Sequence, residues 1–156
     1  MTLDRDAFAA VVRDTPLVSI DLIVRDPAGR VLVGRRTNQP ARGCWFVPGG
    51  RIRKDERIAD AFTRIARDEL GIERTVDDAA FRGVFEHLYD TNFAGIGGFG
   101  THYVVLAYDV GLPEPPADLP VDQHSDYRWA CPAELLSDPD VHANTKAYFT
   151  SAADQP

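Results

Sequence analysis

The segment GGRIRKDERIADAFTRIARDELGI, residues 49–72, decides the fold that we expect for this chain. It opens with a glycine pair, continues with apolar residues at helical spacing, and reaches a further glycine that favours a helix end. We therefore predict a tight turn at 48–50 and a helix from about Glu56 to Leu70, with Gly71 as its stop signal.

The predicted helix carries a carboxylate among its apolar residues. At about 100° per residue, Glu69 falls in the middle of the inward stripe and Asp68 at its edge. The stripe is formed by Ile58, Ala61, Phe62, Ile65, Ala66 and Leu70, whereas the opposite side carries Arg57, Asp60, Arg64 and Arg67. A carboxylate that faces a core is costly unless a cation or hydrogen-bond donors compensate it. Spacing alone leaves Glu69 as either a structural partner of an arginine or a metal ligand.

The rest of the chain alternates between strand and helix patterns. β-branched or alternating segments predict strands at 17–24, 30–36, 44–47, 81–90, 101–110 and 126–131, the first two forming a hairpin. Helical patterns lie at 4–14, 132–137 and 141–152, and loops are predicted at 37–43, 91–100 and 111–120. This mixture predicts an α/β sandwich, and the length of 156 residues fits a single domain, 1–156.

Composition excludes several classes of protein. A net charge of −7 at pH 7 is a poor electrostatic match for a general DNA- or RNA-binding role. Two cysteines, Cys44 and Cys131, give neither a disulfide framework nor a zinc-site spacing. No apolar run is longer than that at residues 103–108, which is too short for a membrane span, and residues 1–12 lack the basic start of a signal peptide. We therefore predict a cytoplasmic protein without nucleic-acid or membrane partners.

The segment that opened this section resembles the signature of the Nudix hydrolases. From Gly50 to Ile72 it follows the spacing G-x5-E-x7-R, then an acidic pair and Gly-Ile. It departs from the family pattern at Ile65 and at Asp68, where the family has glutamates. Because 65 and 69 are the inward helix positions, one of two metal-facing carboxylates is lost. The resemblance implies the Nudix fold, an α/β/α sandwich with a mixed sheet. The departure at Ile65 argues against the usual multi-metal attack on phosphorus.

Across most of its length the chain resembles a divergent Nudix branch, the GDP-mannose mannosyl hydrolases. The similar segments are TPLVSIDLIV at 15–24, GRRTNQPARGCWFVPGGR at 34–51, THYVVLAY at 101–108, DQHSDYRW at 122–129 and VHAN at 141–144. In this branch, water attacks the anomeric carbon of the sugar with inversion and releases GDP and mannose. The resemblance also implies a homodimer, to which the N-terminal FAAVV segment is a candidate contributor.

The same resemblance implies a metal site. Its ligands would be Glu69, the carbonyl oxygen of Gly49 and the amide oxygen of Gln123, and its ion Mg²⁺, with Mn²⁺ as the alternative. Magnesium commonly takes one or two protein carboxylates together with phosphate and water oxygens. A Gly-Gly turn also lets the backbone approach an ion closely.

Two arginines and a tyrosine are implied as contacts of the diphosphate. Arg36 and Arg51 suit bidentate phosphate binding, and Tyr103 would donate a hydrogen bond to the leaving group. The alternatives are solvated surface arginines and a core or edge tyrosine. Because neighbouring strand residues point to opposite sides, only one of Arg35 and Arg36 can face the site.

His124 is implied as the general base that deprotonates the attacking water. It follows a proline-rich loop and adjoins the predicted ligand Gln123, and loops are where catalytic groups concentrate. Asp21, within an apolar strand, and His87 resemble sugar-contacting positions; either could instead be a satisfied buried polar group.

The resemblance therefore implies hydrolysis of a GDP-hexose, with GDP-α-mannose as the leading substrate, at the glycosidic C–O bond. A first alternative is a conventional Nudix nucleoside-diphosphate-sugar diphosphatase that attacks phosphorus, which the loss of a carboxylate at Ile65 disfavours. A second is a catalytically weak nucleotide-sugar binding module, which the joint presence of Glu69, Gln123 and His124 disfavours.

Overall fold

A computed structural model describes residues 2–120 and 124–150 of the chain. Its helices are α1 (Arg5–Asp14), α2 (Ile58–Leu70), α3 (Pro132–Ser137) and α4 (Ala143–Lys146). Its strands are β1 (Leu17–Arg25), β2 (Val31–Arg36), β3 (Trp45–Phe46), β4 (Gly49–Arg51), β5 (Ala80–Tyr89), β6 (Thr101–Gly111) and β7 (His124–Ala130). Single turns of 3₁₀ helix lie at Val76–Asp78 and Ala147–Phe149.

The strands form one mixed sheet in the order β3-β2-β1-β6-β5, with β4 added beside β1 and β7 beside β2. β1 and β6 run parallel, and the other pairs are antiparallel. The hairpin strands β1 and β2 pair at Arg25 and Val31, next to their turn. Farther from the turn, β1 pairs with β4 and β2 pairs with β3, while β7 pairs with β2 from Val31 to Arg36.

Helices cover both faces of the sheet. On one face, Phe62 and Leu70 of α2 pack against alternate residues of β1 such as Leu22. On the other face, Leu135 of α3 and Phe149 of the C-terminal turn pack against the opposite set of strand side chains. This three-layer arrangement confirms the predicted α/β/α sandwich.

The helix α2 follows from the segment that decides the fold. Its apolar stripe is buried as predicted from Ala61 to Leu70, whereas Ile58, at the start of the helix, is 46% exposed. Gly71 ends the helix in the left-handed conformation at φ 66°, which a glycine adopts without steric cost. The helix begins at Ile58, two residues after the predicted start, because the backbone of Arg57 is still extended, at φ −73° and ψ 151°.

Three predicted elements are corrected. Residues Gly49–Arg51 do not form a turn: they pair with β1 and so become strand β4. His124 lies not in a loop but at the start of β7, because β7 continues its pairing with β2 as far as Arg36. The helix predicted at 141–152 is reduced to α4 and a 3₁₀ turn, with 151–152 outside the described residues. Among the described helices, none combines the length and apolarity needed to cross a bilayer.

Candidate functional site

A cavity of about 310 Å³ opens at the end of the sheet where the hairpin strands separate. Seven of the nine residues predicted for the site line it, namely Asp21, Arg36, Gly49, Arg51, His87, Tyr103 and His124. The wall also includes residues that the sequence analysis did not assign to the site, namely Phe8, Ser19, Pro40, Phe46, Val47, Gly50 and Tyr89.

Strand geometry explains why residues distant in sequence meet here. Successive strand side chains point to opposite faces, so Ser19 and Asp21 of β1 face the cavity together, as do His87 and Tyr89 of β5. Register then aligns the strands, since Tyr103 of β6 lies opposite His87. The polar positions of three neighbouring strands therefore share one wall.

Gly49 permits the close packing of β4 on β1. It pairs with Asp21, and a Cβ added at Gly49 would lie 2.7 Å from the carbonyl oxygen of Ile20 and would collide with the Asp21 carboxylate. Glycine is thus required at this position for Asp21 to keep its place in the cavity wall.

Arg36 and Arg51, the two predicted phosphate-binding arginines, lie on the cavity wall, where aromatic rings and, for Arg36, a backbone carbonyl contact their guanidinium groups. Arg36 donates from Nε to the carbonyl of Pro40 at 3.0 Å and lies over the ring of Phe46. The Arg51 guanidinium lies 4.7 Å from the centre of the Phe8 ring.

Arg35 turns to the other side of β2. Its guanidinium lies over the ring of Trp45, and its Nε donates to the carbonyl of Gly43. Of this adjacent arginine pair, only Arg36 lines the cavity, as strand alternation predicts.

His124 is buried at the start of β7, with 3% of its surface exposed. Burial, with a smaller contribution from the positive charge of Arg36, lowers its pKa to about 4. The imidazole is therefore neutral near pH 7, which is the state that a general base requires.

The ring of His124 packs directly on Gly34 of β2. A Cβ added there would lie 2.7 Å from two ring atoms of His124, closer than real contacts allow. We expect Gly34→Ala to displace the imidazole and lower kcat more than it lowers thermal stability. Gly111→Ala is the matched control, because a Cβ at Gly111 meets nothing within 4 Å. Equal kcat values in the two variants would contradict this role of Gly34.

Tyr103 is suited to donating a hydrogen bond. Burial raises the pKa of its phenol, an effect that Arg36 and Arg51 only partly offset. The hydroxyl therefore keeps its proton at neutral pH. Tyr89, next to it, behaves likewise, since burial raises its pKa to about 12.

Asp21 and His87 meet through a residue that sequence reasoning missed. The hydroxyl of Tyr148 donates to Asp21 Oδ2 at 2.6 Å and lies 3.2 Å from His87 Nε2. Burial raises the pKa of Asp21 to about 7 and lowers that of His87 to about 4. Nothing in the sequence pattern around Tyr148 signals this contact, because it spans 127 positions to Asp21.

Glu69 lies in a second, smaller cavity of about 220 Å³ that adjoins the first through Gly50 and Arg51. Burial, with the neighbouring charge of Asp68, raises its pKa to about 7. Ile65 occupies the other inward position of α2, where its side chain packs against Gly50. Among positions 65 and 69, a single carboxylate therefore faces this region, as the sequence predicts.

The donors fit a metal ion that relies on its substrate for ligands. Within residues 2–120 and 124–150, no three His, Cys, Asp or Glu side chains come together as a protein-built metal cage. A buried carboxylate of raised pKa, Glu69, at the edge of a cavity instead suits one hard cation that takes its other oxygens from phosphate and water. Gln123, the third predicted ligand, lies outside the described residues.

Arg64 does not face solvent freely, which corrects the helix-wheel prediction. Its guanidinium contacts both carboxylate oxygens of Glu56, at 2.7 and 2.9 Å, and donates to the carbonyl of Arg51. Glu56 in turn accepts from the backbone N–H of Arg53. This network ties the segment between β4 and α2 to the helix and holds the backbone of Arg51 in place.

We expect Glu56→Gln to destabilise the fold by about 1–3 kcal/mol at neutral pH, the usual cost of breaking a charged hydrogen bond. Arg64 lowers the pKa of Glu56 to about 2. Because the folded state holds the carboxylate more acidic, this stabilisation is present above the ordinary pKa and is lost as pH falls towards 2.

Urea unfolding at several pH values tests this expectation. The difference between wild type and Glu56→Gln should shrink as the pH is lowered, whereas Asp55→Asn, at an exposed position, should follow the wild type throughout. A difference that stayed constant with pH would show that Glu56 acts without its charge.

The sequence has recognisable relatives. A profile of the NUDIX domain matches residues 15–152. The low-salt glycan biosynthesis protein Agl8 of Haloferax volcanii is 43% identical over 121 residues, which cover 77% of this chain and 74% of that protein. An RNA pyrophosphohydrolase of Gluconacetobacter diazotrophicus is 43% identical over only 54 residues, covering 31% of this chain and 32% of that protein.

Solved structures share the fold. The MutT protein of Methanosarcina mazei superimposes with a TM-score of 0.67 at 19% identity and covers 86% of this chain and 91% of its own. A MutT NUDIX hydrolase of Burkholderia pseudomallei gives a TM-score of 0.65 at 26% identity, covering 86% and 96%. With the profile match across residues 15–152, these similarities show that the chain belongs to the Nudix hydrolases, a family that acts on nucleoside diphosphate derivatives and generally uses divalent metal ions.

Proposed function

We propose that this protein hydrolyses a GDP-hexose, with GDP-α-mannose as the leading substrate, at the glycosidic C–O bond. One observation carries the proposal: a neutral, buried His124 shares a cavity with Arg36 and Arg51. Of the two inward signature positions on α2, 65 and 69, only Glu69 carries a carboxylate. A base outside the Nudix helix can activate water at a sugar carbon. The loss of a carboxylate at Ile65 weakens the case for multi-metal attack on phosphorus.

The mechanism follows from which groups can take or give a proton. The neutral imidazole of His124 accepts the proton of the attacking water as the new C1–O bond forms. The bond from C1 to the β-phosphate oxygen breaks, and its electron pair leaves with GDP. Arg36 and Arg51 offset the charge that develops on the diphosphate, and the protonated Tyr103 donates a hydrogen bond to it.

Because a diphosphate is already a good leaving group, the reaction needs no strong general acid. Attack from the side opposite the leaving group inverts the anomeric carbon, as in inverting glycosidases. Asp21 and His87 would then contact the sugar, since both line the cavity and carry polar atoms suited to hydroxyl groups.

A divalent cation, Mg²⁺ or alternatively Mn²⁺, would neutralise part of the diphosphate charge when bound. Glu69, the carbonyl of Gly49 and Gln123 would hold it. Glu69 lies in the cavity that adjoins the main one, which suits a cation shared between protein and diphosphate.

The relatives support a sugar-nucleotide substrate. The Haloferax volcanii protein, 43% identical over 77% of this chain, is named for glycan biosynthesis, and such synthesis consumes activated sugars. We extend the proposal to a single domain over residues 1–156 that acts in the cytoplasm as a homodimer without nucleic-acid or membrane partners; size-exclusion chromatography with light scattering measures the oligomeric state.

Hydrolysis in ¹⁸O-water separates the proposal from its alternatives. We expect the label in the sugar, unlabelled GDP, and β-mannose as the first anomer formed. Sugar 1-phosphate and GMP, with label in a phosphate, would instead identify a conventional Nudix diphosphatase. Tight binding of GDP-mannose without turnover, at any Mg²⁺ or Mn²⁺ concentration, would identify a binding module.

A further inference from the structure

A buried hydroxyl stands behind the two residues proposed to contact the sugar. Tyr148 is 1% exposed and does not line the cavity, yet its hydroxyl donates to Asp21 Oδ2 at 2.6 Å and lies 3.2 Å from His87 Nε2. Both of its partners do line the cavity. Any effect of Tyr148 on a substrate must therefore act through them.

Tyr148 is itself held firmly from the far side. The Arg82 guanidinium donates to its carbonyl oxygen at 3.0 Å and pairs with Asp109 at 2.7 Å. The ring of Phe85 packs edge-on against the Tyr148 ring at 4.7 Å, and the adjacent Phe149 is fully buried. The hydroxyl consequently occupies a fixed point to which Asp21 and His87 must conform.

We propose that Tyr148 is a positioning residue: its hydroxyl orients the Asp21 carboxylate and fixes the tautomer of His87, and so sets the hydrogen-bond acceptors available to the sugar. This inference rests on the proposed function for the identity of the sugar. The geometry of the three side chains does not depend on it.

Counting protons gives the tautomer. A phenol has one proton, and when the Asp21 carboxylate is ionised that proton goes to Asp21 Oδ2. The oxygen of Tyr148 can then only accept from His87, so the imidazole carries its proton on Nε2 and leaves Nδ1 as an acceptor.

Asp21 is oriented by the same contact. With Oδ2 engaged by Tyr148, the other oxygen, Oδ1, lies over Gly49 at the cavity wall. Asp21 Oδ1 and His87 Nδ1 are both acceptors, a pattern that suits the hydroxyl donors of a hexose and penalises a sugar that lacks one of those hydroxyls.

Tyr148→Phe tests the kinetic consequence, because it removes only the hydroxyl. We expect kcat/KM for GDP-mannose to fall about 10-fold, the usual effect of losing a buried hydrogen bond, while inhibition by GDP is unchanged. Tyr108→Phe is the matched control: Tyr108 is also buried, but in the opposite core, where its ring packs on Phe62. A loss of the same size in both variants, or weaker GDP inhibition in Tyr148→Phe, would overturn the proposal.

A double-mutant cycle locates the effect. If Tyr148 acts through Asp21, the effect of Tyr148→Phe should largely vanish in an Asp21→Asn background. Independent, additive losses would show that the tyrosine does not act through that carboxylate.

The tautomer of His87 in the wild type gives a readout that does not depend on turnover. ¹⁵N NMR above the pKa of Asp21, where its carboxylate is ionised, should find the Nε2–H form in the wild type and a mixture of tautomers in Tyr148→Phe. An Nδ1–H imidazole in the wild type would overturn the proposal, even if Tyr148→Phe fails to fold. If the wild type has Nε2–H but does not hydrolyse GDP-mannose, the proposed function fails and the positioning role stands.

Discussion

His124→Gln is expected to lower kcat on GDP-mannose by about 10²–10⁴-fold, the usual contribution of a positioned general base. The side chain is buried at the start of β7, so glutamine can fill a similar volume and keep a polar end in the cavity. A glutamine amide cannot accept the proton of the attacking water. The loss should therefore appear in kcat, while KM changes little.

The pH dependence supplies a second signature of the base. Burial lowers the pKa of His124 to about 4, so the active, neutral imidazole is lost as the pH falls towards that value. The wild-type kcat should show this acidic limb, and His124→Gln should lack it. The limb must be followed below pH 5 in protein that circular dichroism shows to be folded, since about one unit above its pKa the imidazole is still mostly neutral.

His102→Gln is the control variant for this experiment. His102 lies on β6 and does not line the main cavity, so its replacement should leave both kcat and the acidic limb in place. An acidic limb that persists in His124→Gln would assign the limb to another group. A near-normal kcat would remove His124 from the chemistry.

Periodicity predicted most of the fold because each element carries its own pattern. The apolar stripe of α2 and its glycine stop are local features, and so are the β-branched run of β1 and the hairpin turn. β4 was missed because Gly49–Arg51 has no strand pattern of its own and is a strand only through its pairing with β1. The start of β7 was missed for the same reason, since its pairing with β2 carries it back to His124.

The candidate site divides in the same way. Resemblance named the residues whose types match a known pattern, and seven of them share one cavity. It did not name Phe8, whose ring lies under Arg51, or Tyr148, whose hydroxyl links Asp21 to His87. These contacts join segments that are distant in sequence and meet only in the folded chain. From sequence alone, an aromatic residue at either position would be predicted to be an ordinary core residue.

Charge state was the least predictable property. A helix wheel identifies Glu69 as inward-facing, but the raised pKa depends on how deeply the folded chain buries it and on nearby Asp68. The same wheel places Arg64 outward, whereas Glu56, eight residues earlier, draws it into a structural network. Side-chain partners of this kind follow from three-dimensional packing and not from spacing along one helix.

Glu69→Gln is expected to lower the metal-dependent activity by about 10²-fold or more, because it removes the carboxylate proposed to bind the cation. The substitution nearly conserves volume, so the helix and the core around it should remain intact. Activity at rising Mg²⁺ concentration measures the effect. Asp60→Asn, at an exposed position on α2, is the matched control and should retain wild-type metal dependence.

Stability without metal distinguishes a ligand from a structural partner. The folded state raises the pKa of Glu69 from 4.5 to about 7, so ionising this group costs folding free energy that grows as the pH rises from 4.5 and levels off above 7. Glutamine carries no charge and escapes that cost. In metal-free buffer above pH 7, Glu69→Gln should therefore have a higher melting temperature than the wild type.

Adding Mg²⁺ with GDP should reverse the order of stability. A bound cation compensates the ionised carboxylate, so the wild type should gain melting temperature while Glu69→Gln gains much less. If Glu69 were instead the structural partner of an arginine, the substitution would lower the melting temperature in metal-free buffer and leave the response to Mg²⁺ unchanged. Near-normal turnover in a folded Glu69→Gln protein would remove Glu69 from the metal site.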